Sequence, residues 1–318
     1  MKKHHVLSAA IALLMGLQAM MSAPAGAAGS GSSTGTPGST AGAKSGGSGA
    51  TAASHAEAVY KGALPLLSSG NLPGTIAYMK TKLYAVTPYQ ATLLTLKLEN
   101  LHKALLPSWE KKFSSSDIQR KLLTVYRGGV SMAKLAESTE SPALRAMLQS
   151  AGESGYKLDT AEGSFYPVID YAAYRKYKPY VTEDISSYIS IMAAESDLPP
   201  SKDNGLIIAW GEVADRALTQ EQFIQTYPKS NRVQAVKKLY NQYAVNTFYG
   251  QNNTPLFHYD NQEMDLEAQK AYASILAKNG SSSAFLQKLD GFMKLMKSNG
   301  YLLDDAAEQY LKTEVPEL

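Results

Sequence analysis

A glutamate at the end of an apolar stretch is the residue in this chain best suited to acid–base chemistry. Glu195 follows the apolar residues 189–194 and precedes Ser196, and this pattern predicts a helix that ends near the carboxyl group. A semi-buried glutamate there would have a raised pKa and could act as a general acid. The alternative, which we favour, is a solvated glutamate at a helix end.

Two carboxylates and several aromatic residues lie together in a less regular part of the chain. Glu162, Tyr166 and Asp170 lie in or beside residues 160–167, which show no helical period and contain a glycine and a proline. This segment predicts an ordered loop or a short extended piece. Because loops on rigid scaffolds often carry function, the three residues are candidates for ligand binding. The alternative, again favoured, is a connector whose aromatic side chains fill the core.

Tyrosine is unusually abundant, with 20 residues in the chain. Tyr171, Tyr174 and Tyr177 are spaced by three, with basic residues between them, and on the predicted helix 171–177 they lie on one broad face. Aromatic faces with basic neighbours can stack on sugars or hold anionic wall polymers. The alternative, which we favour, is a half-buried helix whose tyrosine hydroxyls reach the surface.

Other common chemistries have little support in the composition. Apart from His4 and His5 in the N-terminal segment and His55 at the edge of the linker, the chain has only His102 and His258. Neither has a histidine or glutamate four positions later, so a histidine metal site or a Ser/His/Asp hydrolase is not expected. There is no cysteine, which excludes disulfides and thiolate ligands. The acidic residues between 260 and 267 lack EF-hand spacing and suit a helix N-terminus. We therefore expect no metal and no cofactor.

The residues around Glu195 resemble soluble lytic transglycosylases, in which the catalytic glutamate ends a helix and is followed by serine and, shortly after, proline. The resemblance implies a peptidoglycan- or glycan-cleaving enzyme with Glu195 as general acid. The sequence departs from the family at Ile207-Ile208, where a Met-Gln step is expected, and it lacks the later Ala-Tyr-Asn-Ala-Gly stretch.

Residues 223–230, read with Ala235, Leu239 and Tyr243, resemble one helix-turn-helix step of a tetratricopeptide repeat. This resemblance implies an antiparallel helix pair. Only one copy is visible, so the sequence does not predict a solenoid.

The N-terminal segments predict export. Residues 1–27 have a basic start, an apolar run over 6–21 and small residues after it, as in a secretory signal peptide. Residues 28–54 are mostly glycine, serine, threonine and alanine, and they predict a flexible, disordered linker. We expect a protein that is secreted or, if residues 6–21 remain uncleaved, tethered to the membrane through them. The signal, the linker and the tyrosine-rich body are together similar to exported helical proteins of Paenibacillus-like Gram-positive bacteria.

Net charge argues against a nucleic-acid partner. The chain carries a formal charge of +3, and without Lys2 and Lys3, 29 basic residues remain against 28 acidic ones. Binding to a polyanion by counterion release needs a concentrated basic face.

From residue 55 onward the sequence predicts an all-α fold, a multi-helix array or bundle of antiparallel helix pairs. The halves are 55–155 and 156–318, or one continuous domain. No alternating run predicts a strand. We expect one helix to stop at Pro107, another to cover 205–218 with a new one starting at Thr219, and a third to start at residues 260–263.

These patterns favour a non-catalytic binding or scaffold protein at the cell envelope, with a wall polymer or an envelope protein as its partner. The alternative is the glycan-cleaving enzyme that uses Glu195.

Overall fold

The computed structural model describes the backbone of residues 47–315 and the side chains of residues 51–315, and most of this range is helical. The α-helices are α1 (Gly47–Ser68), α2 (Leu72–Lys82), α3 (Pro88–Phe113), α4 (Ser116–Val125), α5 (Met132–Ser138), α6 (Pro142–Glu153), α7 (Glu183–Asp197), α8 (Trp210–Thr226), α9 (Val233–Tyr249), α10 (Leu266–Asn279), α11 (Ala284–Ser298) and α12 (Asp305–Glu314). Two 3-10 helices cover Leu83–Ala85 and Tyr171–Tyr177. The prediction of an all-α fold is confirmed.

The predicted signal peptide 1–27, with the apolar run 6–21, lies outside the described residues. Helix α1 begins at Gly47, so the last residues of the predicted linker 28–54 are helical. Within the described range, no helix is both long and apolar enough to cross a membrane.

Between residues 47 and 315, three antiparallel hairpins interrupt the helices. Their strands are β1 (Tyr156–Ala161) with β2 (Ser164–Ile169), β3 (Ser201–Lys202) with β4 (Gly205–Leu206), and β5 (Gly250–Gln251) with β6 (Thr254–Pro255).

The β1–β2 hairpin corrects the prediction that no segment alternates as a strand does. Ala161 lies opposite Ser164, which leaves Glu162 and Gly163 as a two-residue turn. Both have positive φ, 49° and 73°, as a type I′ hairpin turn requires. Every second side chain of β2 is buried. Pro167 is one of them, and a proline inside the run hides the strand pattern because proline is rare within strands.

The described part of the unit that starts at residue 46 is compact and holds two main hydrophobic clusters. The first is formed by buried residues between Ala63 and Ala193, and the second by buried residues between Ile208 and Val315. A smaller third cluster joins α7, α8 and α9. The first cluster runs across the proposed boundary at residue 155, so the division into halves stays a prediction.

Helix α3 continues through Pro107 to Phe113, contrary to the prediction that proline stops it. Proline removes one backbone hydrogen bond and normally kinks or breaks a helix. Here Pro107 is exposed, while Trp109 and Phe113 beyond it are buried in the first cluster. Burial of these two large side chains keeps the last turns helical.

Three further predicted helix starts, at residue 205, at Thr219 and at residues 260–263, are wrong. Residues 205–206 belong to β4, and α8 runs from Trp210 through Thr219, whose hydroxyl donates to the Asp215 carbonyl at 2.9 Å within the helix. Helix α10 starts after Asp265, whose carboxylate accepts from the Ala268 amide at 2.9 Å. Residues 260–263 have the sequence of a capping box. The helix nevertheless begins after Asp265, because it is the Asp265 carboxylate that accepts a hydrogen bond from an amide of the first turn.

The helix-turn-helix prediction agrees with the structure locally. Helices α8 and α9 are joined by residues 227–232, and Phe223 of α8 and Val236 of α9 belong to the third cluster. The short connection and shared cluster fit one antiparallel helix pair.

Candidate functional site

The three clustered tyrosines lie on a 3-10 helix rather than an α-helix, and this changes where they point. A 3-10 helix has three residues per turn, so side chains at positions i and i+3 eclipse. Tyr171, Tyr174 and Tyr177 therefore form one narrow stripe, and all three are buried in the first cluster. The prediction that they present an exposed face, or hydroxyls that reach the surface, is wrong.

Each of the three hydroxyls has a different environment. The Tyr171 hydroxyl donates to Glu99 Oε1 at 2.8 Å, and the Tyr174 hydroxyl lies 2.6 Å from His102 Nδ1. The Tyr177 hydroxyl has no hydrogen-bond partner in the described part of the chain, although only 2% of the residue is exposed. Burial raises the pKa of all three phenols well above the ordinary value, so all three stay neutral.

Two of these tyrosines help to line a cavity of about 110 Å³, which we call the tyrosine cavity. It lies where α2, α3, the end of α6 and the 3-10 helix 171–177 meet. Its lining residues are Ile76, Leu98, His102, Gly152, Glu153, Gly155, Asp170, Ala173, Tyr174, Lys176 and Tyr177. Of the residues predicted to bind a ligand, Asp170, Tyr174 and Tyr177 come together here.

His102 forms the inner wall of the cavity in a fixed tautomer. Nε2 lies 2.7 Å from the Ser154 carbonyl, which can only accept, so Nε2 carries the proton. Nδ1 is then the acceptor for the Tyr174 hydroxyl. Burial lowers the pKa of His102 to about 4, and it is therefore neutral near pH 7. Since both ring nitrogens are occupied, His102 positions Tyr174 rather than offering a free base.

Gly155 makes this packing possible. Its φ is 79°, and a Cβ there would lie 2.5 Å from His102 Nε2. The positive φ and the close contact with His102 both disfavour a residue with a Cβ at position 155.

Asp170 and Lys176 place opposite charges at the cavity. Asp170 begins the 3-10 helix, and its Oδ1 accepts from the Ala173 amide at 3.3 Å. The Lys176 ammonium lies 5.0 Å from the centroid of the Tyr177 ring. Although much of the Lys176 side chain is exposed, partial burial and then repulsion from Lys80 lower its pKa, against an opposing effect of Asp170.

Tyr171 belongs to a separate buried network centred on Glu99, which sequence reasoning missed. Glu99 is 1% exposed. Its Oε1 accepts from Tyr171, from Tyr188 at 2.6 Å and from Lys103 at 2.6 Å, and its Oε2 accepts from Arg232 Nη2 at 2.7 Å. Burial raises the pKa of Glu99, but the charges of Lys103 and Arg232 outweigh it and hold the pKa below its ordinary value. The network joins α3 to α7 and to the start of α9.

Glu195 lies in a third group of polar residues. Its Oε1 accepts from the Tyr243 hydroxyl at 2.6 Å and lies 3.5 Å from Arg216 Nη1. Arg216 also donates to Glu212 at 2.8 Å. Burial raises the pKa of Glu195, and the contacts with Tyr243 and Arg216 oppose that rise. The carboxyl group is thus held within the fold, not solvated at a helix end, but one oxygen is already occupied.

The neighbouring Ser196 has a structural role. Its Oγ donates to the Ile169 carbonyl at 3.2 Å and accepts from the Tyr171 amide at 3.1 Å. These bonds fasten the end of α7 to the beginning of the 3-10 helix.

Glu162 and Tyr166 lie on the β1–β2 hairpin, away from the residues that line the tyrosine cavity. Glu162 is exposed, and its amide donates to Asp203 Oδ1 at 2.9 Å. Burial, with nearby Asp159 and Asp203, raises the pKa of Tyr166 to about 12. The predicted site residues therefore divide among four places: the tyrosine cavity, the Glu99 network, the Glu195 group and the hairpin.

A larger groove of about 430 Å³ lies between α8 and the connection from α10 to α11, and it contains none of the predicted site residues. Its lining side chains are mostly polar and include Gln222, Gln225, Lys278 and Ser282. Within the described residues, no group of three or more histidine, aspartate or glutamate side chains is placed to hold a metal ion.

The sequence matches no family model, no curated protein and no solved structure. The candidate site therefore rests on the geometry alone.

Proposed function

We propose that this chain is a non-catalytic helical binding protein that acts at the cell envelope, either secreted or tethered through residues 6–21. The observation that carries the proposal is the tyrosine cavity, where Asp170, Tyr174 and Tyr177 converge beside Lys176. The candidate acid Glu195 contacts a different set of residues, and the cavity contains no histidine nitrogen free to accept a proton.

The proposal predicts retention by isolated envelope material. Purified protein is mixed with Gram-positive cell walls and with envelope membranes, each is sedimented, and the bound fraction is measured against protein concentration. We expect saturable binding to one of the two, which is lost when the protein is first heat-denatured. Absence of saturable binding to both contradicts the envelope role.

The second candidate function is cleavage of a glycan with Glu195 as general acid. It is favoured by one observation: burial raises the pKa of Glu195, and a proton donor near neutral pH needs such a shift. Arg216 and the Tyr243 hydroxyl act against it, because both stabilise the ionised carboxylate.

Zymography on peptidoglycan tests this second function. Glu195→Gln keeps the shape of the side chain and an acceptor for Tyr243, while it removes the acid. Glu212→Gln is the matched control, since Glu212 contacts the same arginine from the exposed side. Clearing that disappears only in Glu195→Gln supports catalysis, and clearing that is absent or equal in both variants rejects it.

A further inference from the structure

The groove between α8 and the connection from α10 to α11, which we call the α8 groove, is large enough to hold a ligand. Its volume of about 430 Å³ lies within the range of about 300–1,000 Å³ that is usual for small-molecule sites. Leu218 and Leu286 give it some aliphatic surface. Uncharged polar side chains make up most of the remaining lining: Thr219, Gln222, Gln225, Asn279, Ser282 and Ser283. The groove therefore offers many hydrogen-bond donors and acceptors that carry no charge.

Glu221 is the buried charge of the α8 groove. The residue is 7% exposed, and its Oε1 accepts from the Phe285 amide, in the first turn of α11, at 3.0 Å. Its Oε2 accepts no hydrogen bond from the described residues and is not fully enclosed by them, so Oε2 is open to the groove. The fold thus fixes one carboxylate oxygen and leaves the other available to a ligand.

The surroundings of Glu221 favour an uncharged ligand. An anion would be repelled by the carboxylate. A cation is not required, because the Phe285 amide and the positive end of the α11 dipole already stabilise the negative charge. Asp215 and Lys278 also line the groove, but both are exposed and their charges are opposite, so they select no ligand charge.

The polar side chains around Oε2 match the hydrogen bonding of a sugar. Side-chain amides and hydroxyls both donate and accept, as sugar hydroxyls do. A carboxylate oxygen accepts from a hydroxyl in a bond that is stronger than one between neutral groups. A ligand rich in hydroxyl groups therefore fits the α8 groove best.

We propose that the α8 groove binds an uncharged oligosaccharide. Glu221 Oε2 accepts from a sugar hydroxyl, Gln222 and Gln225 bond to neighbouring hydroxyls, and Leu218 contacts the C–H groups of a sugar ring. The site is separate from the tyrosine cavity, and sugar binding here goes beyond the proposed envelope role without depending on it.

Titration calorimetry of the whole protein with three probes tests this assignment. Chitotriose and cellotriose are uncharged trisaccharides that differ in their acetamido groups, whereas spermidine is a polycation. We expect saturable binding of at least one trisaccharide, with a Kd in the millimolar range or tighter, and weaker or no binding of spermidine. Failure of both trisaccharides to bind saturably, or tighter binding of spermidine, overturns the proposal.

Two variants check that the sugar lies in the α8 groove. Glu221→Gln keeps the shape of the side chain and an oxygen for the Phe285 amide, but it removes the charged acceptor. Gln225→Met removes an amide at an exposed position, where the fold should tolerate the change. We expect the affinity for the trisaccharide to fall by about tenfold in Glu221→Gln and by about threefold in Gln225→Met.

Gln309→Met on α12 is the matched control for these variants, because Gln309 is exposed and does not line the groove. It should leave the affinity unchanged. Unchanged affinity in either groove variant contradicts the placement, and Gln225→Met decides alone if circular dichroism shows that Glu221→Gln is unfolded.

The results also separate this site from the envelope role. Trisaccharide binding without retention by envelope material removes only the envelope role. Retention by envelope material without trisaccharide binding removes only the assignment of a sugar site to the α8 groove.

Discussion

Replacing Tyr171, Tyr174 and Tyr177 one at a time by phenylalanine should give three different changes in the free energy of unfolding. Each substitution keeps the ring, so the packing of the aromatic stripe is retained. Only the hydroxyl is lost, and its environment differs at each position. The series therefore measures hydrogen bonding at nearly constant burial.

The expected magnitudes follow from the partners. Tyr171→Phe loses a hydrogen bond to the ionised Glu99, and bonds to charged groups contribute about 1.5–3 kcal/mol. Tyr174→Phe leaves His102 Nδ1 buried without its donor, at a cost of about 1–3 kcal/mol. Tyr177→Phe removes a hydroxyl that has no partner in the described residues, so it should be neutral or stabilise by about 1 kcal/mol.

Urea unfolding at pH 7.5, followed by circular dichroism and by tryptophan fluorescence, measures all three. Equal m-values among the variants show that the unfolded states are comparable. The reasoning is refuted if Tyr177→Phe loses more than about 1 kcal/mol at unchanged m, since the hydroxyl must then have a partner. It is refuted equally if Tyr171→Phe costs nothing.

Three further perturbations test the surroundings of the cavity. The pKa of His102 is about 4 in the fold against 6.5 ordinarily, so the unfolded chain binds the proton more readily and stability is lost as pH falls from 6.5 toward 4. The loss should reach about 3 kcal/mol, and urea unfolding of His102→Gln across this range should show a flatter profile than the parent. Glu99→Gln should destabilise by about 3–5 kcal/mol, because Arg232 is left without its buried counterion; a loss below about 1 kcal/mol would contradict this assignment. Gly155→Ala should cost about 2 kcal/mol more than Gly163→Ala by the same measurement, since both have positive φ but only Gly155 is crowded by His102; equal losses would show that the crowding relaxes freely.

The helices were predictable where local signals decide. Helices α6 and α11 each follow a capping serine, Ser141 and Ser283 respectively. Each serine oxygen accepts a hydrogen bond from a backbone amide of the first turn. Such signals act within a few residues and need no tertiary information. Pro107 shows the limit, because burial of later side chains outweighed the local preference.

The site was predictable only in part, because the deciding facts are not local. A spacing of three fits an α-helix and a 3-10 helix alike, but only the second gives a narrow stripe that is buried throughout. Nothing in the local sequence distinguishes Glu99 and His102 from exposed polar residues of a helix. Their partners, Arg232 and Ser154, lie far along the chain. Lys176 is one of the basic residues between the tyrosines, and nothing in its sequence context indicates a cavity.

The Glu99 network can form only after most of the chain has been synthesised, because one of its members is Arg232. Glu99 and Arg232 are separated by 133 positions, so their contact closes a long loop at a large entropic cost. A fragment ending at residue 155 keeps Lys103 but lacks Tyr171, Tyr188 and Arg232. In such a fragment the Glu99 carboxylate would keep only one of its four partner side chains. Burial of this carboxylate in the apolar cluster is then unfavourable. We therefore expect the first cluster to reach its final packing only after the start of α9 has been made.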